Sequence, residues 1–461
     1  MLFVQFAPSD KIFRKREIPM KKILAILLAG MMTATALAGC GGGSSSGTDS
    51  KGSESGSSGG GAEAQVVDAN TVDPSLFGDE DNITLKVWAP SQALELVKKQ
   101  VEEFKAAYPD KTFTKIEVSA MAESEAGTQV LNDASAAADV FGFASDHLNK
   151  LLDAKVLSEV AFANAVSEMN SEETVKAGKK GDVLYAYPET NDNGYYLVYD
   201  KTVVTDEQAA KLEDVLAACK EAGKKFIFNC GNGFYGCTFA FTAGVKIDGL
   251  EEDGVTQKFT DYDEAEAVKT LQAFSKLMHE YKGTFTSLDN AQIASGFSTG
   301  TLGAGVDGSW NTNADQDALK DNFGAAKLPT INVDGTDKQL ISLFGYKYIG
   351  VNAASQFPAA AQVLAYYLAG ETCQQQRAEK LGWGPSNKNV QGMDVVTKSA
   401  VQQAIKQQSE NACVQVNIAP TFWDPMGNLG NKLVADDTDP DDAAYFSKLL
   451  KDTVANVRDE G

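Results

Sequence analysis

The stretch I-T-L-K-V-W (residues 83–88) alternates apolar and polar side chains, which is the pattern of a half-buried strand. Apolar side chains then recur at steps of three and four over residues 94–108, and Pro109 follows, which predicts an amphipathic helix that ends there. Residues 113–118 and the short apolar run 139–143 are typical of further strands. Strands that alternate with helices predict an α/β fold with largely parallel sheets.

The patterned part of the chain runs from about residue 81 to residue 461, which is too long for one core and predicts two domains. The whole chain has 41 Lys and Arg against 63 Asp and Glu, a formal net charge of −22. This charge disfavours nucleic acid and anionic lipid as partners. With only two histidines, a His-rich metal site or a His-based triad is not expected, and we expect neither a metal nor a cofactor.

The N-terminal segment has the anatomy of a secretory signal peptide, which we place at residues 1–39. Basic residues follow Met20, then comes an apolar run too short to favour the alternative of a permanent transmembrane helix. Met20 is the expected start, and residues 1–19 an upstream over-extension. The sequence L-A-G-C (residues 37–40) resembles the lipobox of bacterial lipoproteins, which implies a lipid on Cys40.

Residues 40–80 are rich in glycine and serine and are expected to form a flexible tether. The expected location is therefore the outer face of the cell membrane, in a bacterium that we expect to be Gram-positive. Five cysteines follow Cys40, so at least one is unpaired within the chain. Cys230 and Cys237 could form a disulfide, but buried, reduced thiols are the favoured alternative.

Residues 231–236 read G-N-G-F-Y-G, a literal G-x-G-x-x-G directly after a predicted strand. A dinucleotide site also needs an acidic residue at the end of a second strand about 20 residues later. Residues 248–254 are instead an acidic, glycine-containing loop. Cys237 stands where a phosphate-binding loop has its lysine. We therefore do not expect a nucleotide cofactor here.

Several separate segments resemble, in the same order, the family 1 extracellular solute-binding proteins, the sugar-capturing components of ABC importers typified by the maltodextrin-binding protein. These segments are F-S-T-G-T-L-G (297–303) with D-G-S-W (307–310), L-Y-A-Y-P (184–188) with 195–201, F-G (323–324) with L-P-T (328–330) and I-G-V-N (349–352), L-G-W-G-P-S-N (381–387) and F-W (422–423).

The resemblance implies a two-lobed, type II periplasmic-binding-protein-like α/β fold, with a hinge between the lobes and a ligand cleft at their interface. Lobe 1 would comprise residues 81–189 and 344–395, and lobe 2 residues 190–343 and 396–461. The implied function is to capture an oligosaccharide by hinge closure and to deliver it, as a monomer, to a membrane permease. Malto-oligosaccharide is the first expectation, and xylo- or manno-oligosaccharides or a small sugar are alternatives.

The less favoured alternative is a secreted glycoside hydrolase, in which two of Asp146, Asp192 and Asp307 would act as an acid/base pair. No catalytic signature supports it, so we expect a binding protein that is not an enzyme.

The resemblance also carries over ligand-binding residues, since aromatic rings stack on sugar faces and carboxylates or amides pair sugar hydroxyls. The candidates are Trp310, Trp423, Phe143, Asp146, Asp192, Asn193, Asn232, Phe234 and Trp88. Simpler roles compete with these: Asp146 is suited to cap the helix that follows it, and Trp310 and Trp88 are suited to the core.

Overall fold

The computed structural model describes residues 71–459. The predicted signal peptide, the lipidation site at Cys40 and most of the tether lie outside these residues. Among the described residues, 72–78 belong to one compact unit, and residue 71 and residues 79–459 belong to another. In the first unit, Pro74–Phe77 forms a 3-10 helix, and the Asp73 carboxylate accepts a hydrogen bond from the backbone N–H of Ser75.

The second unit alternates strands and helices, as the sequence predicts. Its strands are β1 (Ile83–Ala89), β2 (Phe113–Ala120), β3 (Val140–Ala144), β4 (Lys179–Lys180), β5 (Val183–Leu184), β6 (Tyr187–Asn193), β7 (Tyr195–Asp200), β8 (Lys225–Ile227), β9 (Ile247–Leu250), β10 (Gln257–Phe259), β11 (Phe285–Thr286), β12 (Leu302–Gly308), β13 (Phe323–Ala326), β14 (Thr330–Val333), β15 (Thr336–Gln339), β16 (Ser342–Val351) and β17 (Ala412–Val414).

The α-helices are α1 (Leu94–Ala107), α2 (Glu123–Asn132), α3 (Leu148–Asp153), α4 (Ala163–Met169), α5 (Glu172–Ala177), α6 (Leu212–Glu221), α7 (Gly233–Thr242), α8 (Glu264–Glu280), α9 (Ile293–Ser298), α10 (Thr312–Leu319), α11 (Pro358–Leu368), α12 (Glu371–Leu381), α13 (Lys388–Gln391), α14 (Asp394–Thr397), α15 (Ala400–Ser409), α16 (Trp423–Val434) and α17 (Ala443–Val457).

The first sheet has the strand order β17-β16-β3-β1-β2, and β6 also pairs with β16. Strand β1 is parallel to both of its neighbours, whereas β16 is antiparallel to β3 and β6. The burial pattern of β1 follows the alternation of its sequence: Ile83, Leu85 and Val87 face the core, and Thr84 and Lys86 face solvent. Successive side chains of a strand point to opposite faces of the sheet.

The second sheet has the strand order β11-β8-β12-β7-β13. Strand β12 runs parallel to β8 and antiparallel to β7. Alternate residues of β7 enter different cores: Tyr195 and Leu197 pack with α7 and α16, whereas Tyr196 and Val198 pack in a core cluster that also contains Phe143 of the first sheet. The second sheet therefore lies between two apolar layers.

The chain crosses between the sheets at Gly194, because β6 ends in the first sheet at Asn193 and β7 begins in the second at Tyr195. It returns to the first sheet at β16. Strand β17, from a region that the sequence analysis assigns to lobe 2, pairs with β16 in the first sheet. The exact residue ranges of the two lobes remain a prediction.

The early strands and the helix that ends before Pro109 are confirmed. The apolar residues Leu148, Leu151, Leu152 and Leu157 predict one helix after Asp146, but the helix α3 ends at Asp153. Lys155 adopts a left-handed conformation with φ 57°, which ends the helix, and Leu157 forms a bridge to Asn352 instead.

The G-x-G-x-x-G stretch is a helix-packing element. Helix α7 begins within it, at Gly233, and crosses α16 closely. A Cβ atom at Gly236 would lie 2.8 Å from the carbonyl oxygen of Met426, so the backbones can approach only because the side chain is missing. Cys230 and Cys237 are buried free thiols, which confirms the favoured alternative to a disulfide.

Candidate ligand-binding site

Trp310 lies in the 3-10 turn Ser309–Asn311, directly after the fully buried strand β12. A Cβ atom at Gly308 would overlap the Trp310 ring, so glycine at this position lets the indole fold back over the end of the strand. The half-buried indole lies with its ring centroid 5.7 Å from that of Phe234. A partly open aromatic surface of this kind can stack on the apolar face of a sugar.

Asp307 anchors the turn that carries Trp310. Its Oδ1 accepts hydrogen bonds from Asn290 Nδ2 at 2.9 Å, from Asn311 Nδ2 at 2.8 Å and from the backbone N–H of Gly308 at 2.7 Å. The turn 307–311 and the segment that carries Asn290 are thereby held around one carboxylate, which fixes the position of the indole.

A second carboxyl group, that of Asp315, lies beside Asp307 and is fully buried. The Tyr196 hydroxyl donates a hydrogen bond to Asp315 Oδ2 at 3.3 Å. Burial raises the pKa of Asp315 to about 9, and the charge of Asp307 adds to that rise. Burial also raises the pKa of Asp307, to about 6, against the hydrogen bonds from Asn290 and Asn311. The two carboxyl groups therefore titrate as a coupled pair that keeps a proton to higher pH than exposed aspartates do.

Asn232 and Phe234 lie at the start of α7. Asn232 Oδ1 accepts a hydrogen bond from the backbone N–H of Phe234 at 2.9 Å and so caps the helix. Its amide is solvent-exposed, while the Phe234 ring is half-buried against Trp310.

Trp423 is the first residue of α16, and its ring meets that of Phe422 edge-on at 5.2 Å. Its backbone packs against Gly233, where a Cβ atom would clash. Trp310, Phe234 and Trp423 are all part-buried against the same core cluster.

Asp146 and Asn193 are joined by a residue that the sequence analysis did not select. Gln415 Nε2 donates to Asp146 Oδ1 at 3.0 Å, and its Oε1 accepts from Asn193 Nδ2 at 2.7 Å. Burial raises the pKa of Asp146, opposed by the charges of His147 and Lys150. The residue that precedes α3 is His147, so Asp146 does not act as the helix cap that the alternative suggested.

Asp192 is buried at the crossing between the sheets. Its Oδ2 accepts hydrogen bonds from the backbone N–H of Gly384 at 2.5 Å and from Gln402 Nε2 at 3.1 Å. Its backbone carbonyl accepts a hydrogen bond from Ser309 Oγ at 2.6 Å, which links it to the Trp310 turn. Burial raises the pKa of Asp192, against the hydrogen bond from Gly384.

Lys347 on β16 is a buried cation that the sequence analysis missed. Its Nζ lies 3.3 Å from Glu123 Oε1, 5.4 Å from the ring centroid of Trp310 and 4.7 Å from that of Trp383. The available signal was a lone charged residue in the otherwise uncharged stretch S-L-F-G-Y-K-Y-I-G-V (residues 342–351).

Phe143 and Trp88 are placed in the first sheet. Phe143 is fully buried and packs with Phe141 and Tyr348 at ring separations of 5.7 and 5.8 Å, so in this conformation it is a core residue. Trp88 is half-buried and lines a cavity of about 20 Å³. The buried ion pair between Glu189 and Arg377, at 3.0 Å, borders the same cavity, which has room for one water molecule.

The predicted site residues thus form two groups. Trp310, at the end of β12, lies with Asn232, Phe234 and Trp423, at the starts of α7 and α16, on the second-sheet side, and Asp146 and Asn193 meet through Gln415. Asp192 connects to the first group through Ser309. Within residues 71–459, no cluster of His, Cys, Asp and Glu is suited to a metal ion, and no helix is long and apolar enough to cross a membrane.

Comparison with known proteins places this chain among characterised relatives. A family described as bacterial extracellular solute-binding protein matches residues 99–403. A galactooligosaccharide-binding protein of Bacillus subtilis (strain 168) is 24% identical over 370 residues, which cover 78% of this chain and 86% of the relative.

Solved structures share the fold. One solved with acarbose is 25% identical with a TM-score of 0.73, and covers 82% of this chain and 99% of its own. A maltodextrin-binding protein from L. casei BL23, solved without ligand, is 23% identical with a TM-score of 0.68 and the same coverage. The predicted two-lobed α/β fold is therefore confirmed. Since the family match spans more than half of the sequence, this chain belongs to the bacterial extracellular solute-binding proteins.

Proposed function

We propose that this chain captures an oligosaccharide outside the cell and delivers it to the membrane permease of an ABC importer. The observation that carries the proposal is the group of part-buried rings Trp310, Phe234 and Trp423, joined through Ser309 to Asp192. Rings of this kind suit the C–H faces of a sugar, and neighbouring carboxylate and amide groups suit its hydroxyls.

The names of the relatives support a sugar as the ligand but differ on its type. The Bacillus subtilis relative is named for galactooligosaccharides, and the L. casei structure is that of a maltodextrin-binding protein. We keep malto-oligosaccharide as the first candidate and add galacto-oligosaccharide as the second. Xylo- and manno-oligosaccharides and small sugars remain alternatives.

The proposal includes the way in which the protein works. The two lobes close on the ligand about the crossings near Gly194 and β16. A lipid on Cys40 holds the monomer at the outer face of the membrane, and the tether separates the folded part from the lipid surface. The candidate ligand-binding residues are those of the sequence analysis, with Asp146 and Asn193 held in place by Gln415.

Enzymatic hydrolysis is the less favoured alternative. A general acid or base needs a carboxyl group that can reach the substrate. The carboxylates of Asp146, Asp192 and Asp307 all accept hydrogen bonds from protein groups and are buried, which supports a structural or binding role over acid/base chemistry.

The test is a thermal-shift series with the purified protein and malto-, galacto-, xylo- and manno-oligosaccharides. A ligand that binds only the native state raises the melting temperature, by an amount that grows with its concentration. We expect such a rise for one class of sugar, with the sugar recovered intact. Shortened sugar products would favour the hydrolase, and no shift with any of these sugars would contradict the proposal.

A further inference from the structure

Strand β16 carries one charged residue, and that residue is buried. All ten residues from Ser342 to Val351 are buried, and Lys347 is 5% exposed. Removing an ammonium group from water costs several kcal/mol unless partners compensate for the loss of hydration. Apolar packing alone therefore does not account for a lysine at this position, and the groups around its ammonium must be considered.

The surroundings of Lys347 combine both sheets. Trp310 follows β12 of the second sheet, whereas Lys347 and its carboxylate partner Glu123 belong to the first-sheet side of the molecule. The ammonium lies near the faces of Trp310 and Trp383, at 5.4 and 4.7 Å from the ring centroids, which are distances typical of cation–π contacts. It therefore lies at the proposed sugar-stacking surface.

The ammonium has hydrogen-bonding capacity that the protein does not use. A lysine Nζ carries three N–H donors. Among the residues that the structure describes, the carboxylate within 4 Å of it is that of Glu123, at 3.3 Å, and its charge also opposes the rise in the pKa of the buried carboxyl groups of Glu189 and Asp192. The two indole rings offer their π faces but no lone-pair acceptor. At least one N–H group therefore remains available beside Trp310.

We propose that Lys347 is a ligand-binding residue that donates hydrogen bonds to hydroxyl oxygens of a sugar on the face of Trp310, an inference that rests on the proposed function. Glu123 compensates the positive charge of the ammonium, so the pair favours a neutral sugar over one that carries a carboxylate. Lys347 thereby adds a polar specificity element to a surface that is otherwise aromatic.

The test measures the affinity of the Lys347→Met variant for the sugar that stabilises the wild-type protein. Methionine keeps much of the aliphatic stem and removes the donors. We expect affinity to fall at least about tenfold, since hydrogen bonds from charged donors contribute more than neutral ones. Lys338→Met is the control, because Lys338 is a partly buried lysine that is likewise paired with a carboxylate, that of Glu266 at 3.5 Å, and lies outside the proposed site. It should bind as the wild type does.

A double variant separates ligand contact from structural pairing. Lys347→Met leaves the buried Glu123 carboxylate without its cation, which by itself lowers stability. Lys347→Met combined with Glu123→Gln removes both charges, so we expect the melting temperature to recover while affinity stays at least about tenfold weaker than that of the wild type. Recovery of wild-type affinity in the double variant would overturn the inference, as would wild-type affinity in Lys347→Met.

The same measurements distinguish an error in the proposed function from an error in the assignment of Lys347. If the wild-type protein binds none of the oligosaccharides, both proposals fall. If the wild-type protein binds sugar and the Lys347 variants bind equally well, only the assignment of Lys347 is wrong.

Discussion

Trp310 shows how single residues prepare the proposed site. Its indole can fold back over the end of β12 because residue 308 is glycine, and its turn is fixed by the three hydrogen bonds to Asp307. The ring is half-buried and packs on the core through one side. Its proposed role in binding can therefore be separated experimentally from its role in folding.

Trp310→Ala should weaken sugar binding by about 2 kcal/mol, or roughly 30-fold, because a central aromatic contact is lost. The change in melting temperature without ligand should be small, since the ring is only partly buried. Isothermal titration and thermal unfolding of the same preparation measure both quantities. Unchanged affinity together with a large loss of stability would instead identify Trp310 as a core residue.

The buried pair of Asp307 and Asp315 makes stability depend on pH. Because both folded-state pKa values are raised, to about 6 and about 9, the native state holds protons that the unfolded chain releases above about pH 4. The free energy of unfolding that these groups contribute is fully present below pH 4 and is lost as pH rises to about 9.

Asp315→Asn should flatten this dependence between pH 6 and pH 9, because the amide is neutral throughout and can still donate to Asp307. Urea unfolding at several pH values measures the slope. Asp317→Asn is the control, since Asp317 lies on the same helix, α10, and is exposed. An Asp315→Asn slope equal to that of the wild type would show that this carboxyl group does not titrate as described.

At the level of elements, the close contact between α7 and α16 joins Phe234 to Trp423. Helix α16 begins at the candidate Trp423, the first residue of α7, Gly233, lies between the candidates Asn232 and Phe234, and glycines let the two backbones touch. A Cβ atom at Gly427 would clash with the backbone carbonyl of Gly231 and would lie 3.3 Å from the backbone nitrogen of Gly233. Backbone atoms of a packed helix cannot move aside as a flexible side chain can.

Gly427→Ala should therefore destabilise the protein by about 2 kcal/mol, in spite of the better helix propensity of alanine. Urea denaturation gives the difference. Gly392→Ala is the control, because a Cβ atom there would meet its nearest neighbour at 3.4 Å and the residue has an ordinary φ of −81°. Equal stability of the two variants would contradict the close-packing account.

Local patterns in the sequence predict the helices and strands well, but they predict the long-range side-chain contacts between them less well. The alternation at residues 83–88 predicts β1 correctly, and the rejection of residues 231–236 as a nucleotide site agrees with their helix-packing role. The sequence does not predict Gln415, because its side-chain partners Asp146 and Asn193 lie 269 and 222 residues away. Such contacts are created by tertiary packing alone.

At the scale of the whole molecule, the fold could be expected from ordered family segments, and the comparisons confirm it. The candidate ligand-binding residues are predicted less directly by the resemblance to the family. Phe143, expected at a stacking position, is fully buried, whereas Lys347, which the sequence did not indicate, lies near the rings of both Trp310 and Trp383. When a strand is apolar on both faces, its sequence pattern does not show which side chains face the core and which face a cleft. That distinction depends on how the two sheets pack.

The most direct test of the central claim is an isothermal titration of the purified protein with malto- and galacto-oligosaccharides, followed by analysis of the recovered sugar. We expect saturable binding of one sugar chain per protein molecule, with the sugar intact. Absence of binding to every neutral oligosaccharide, or recovery of shortened sugar, would contradict it.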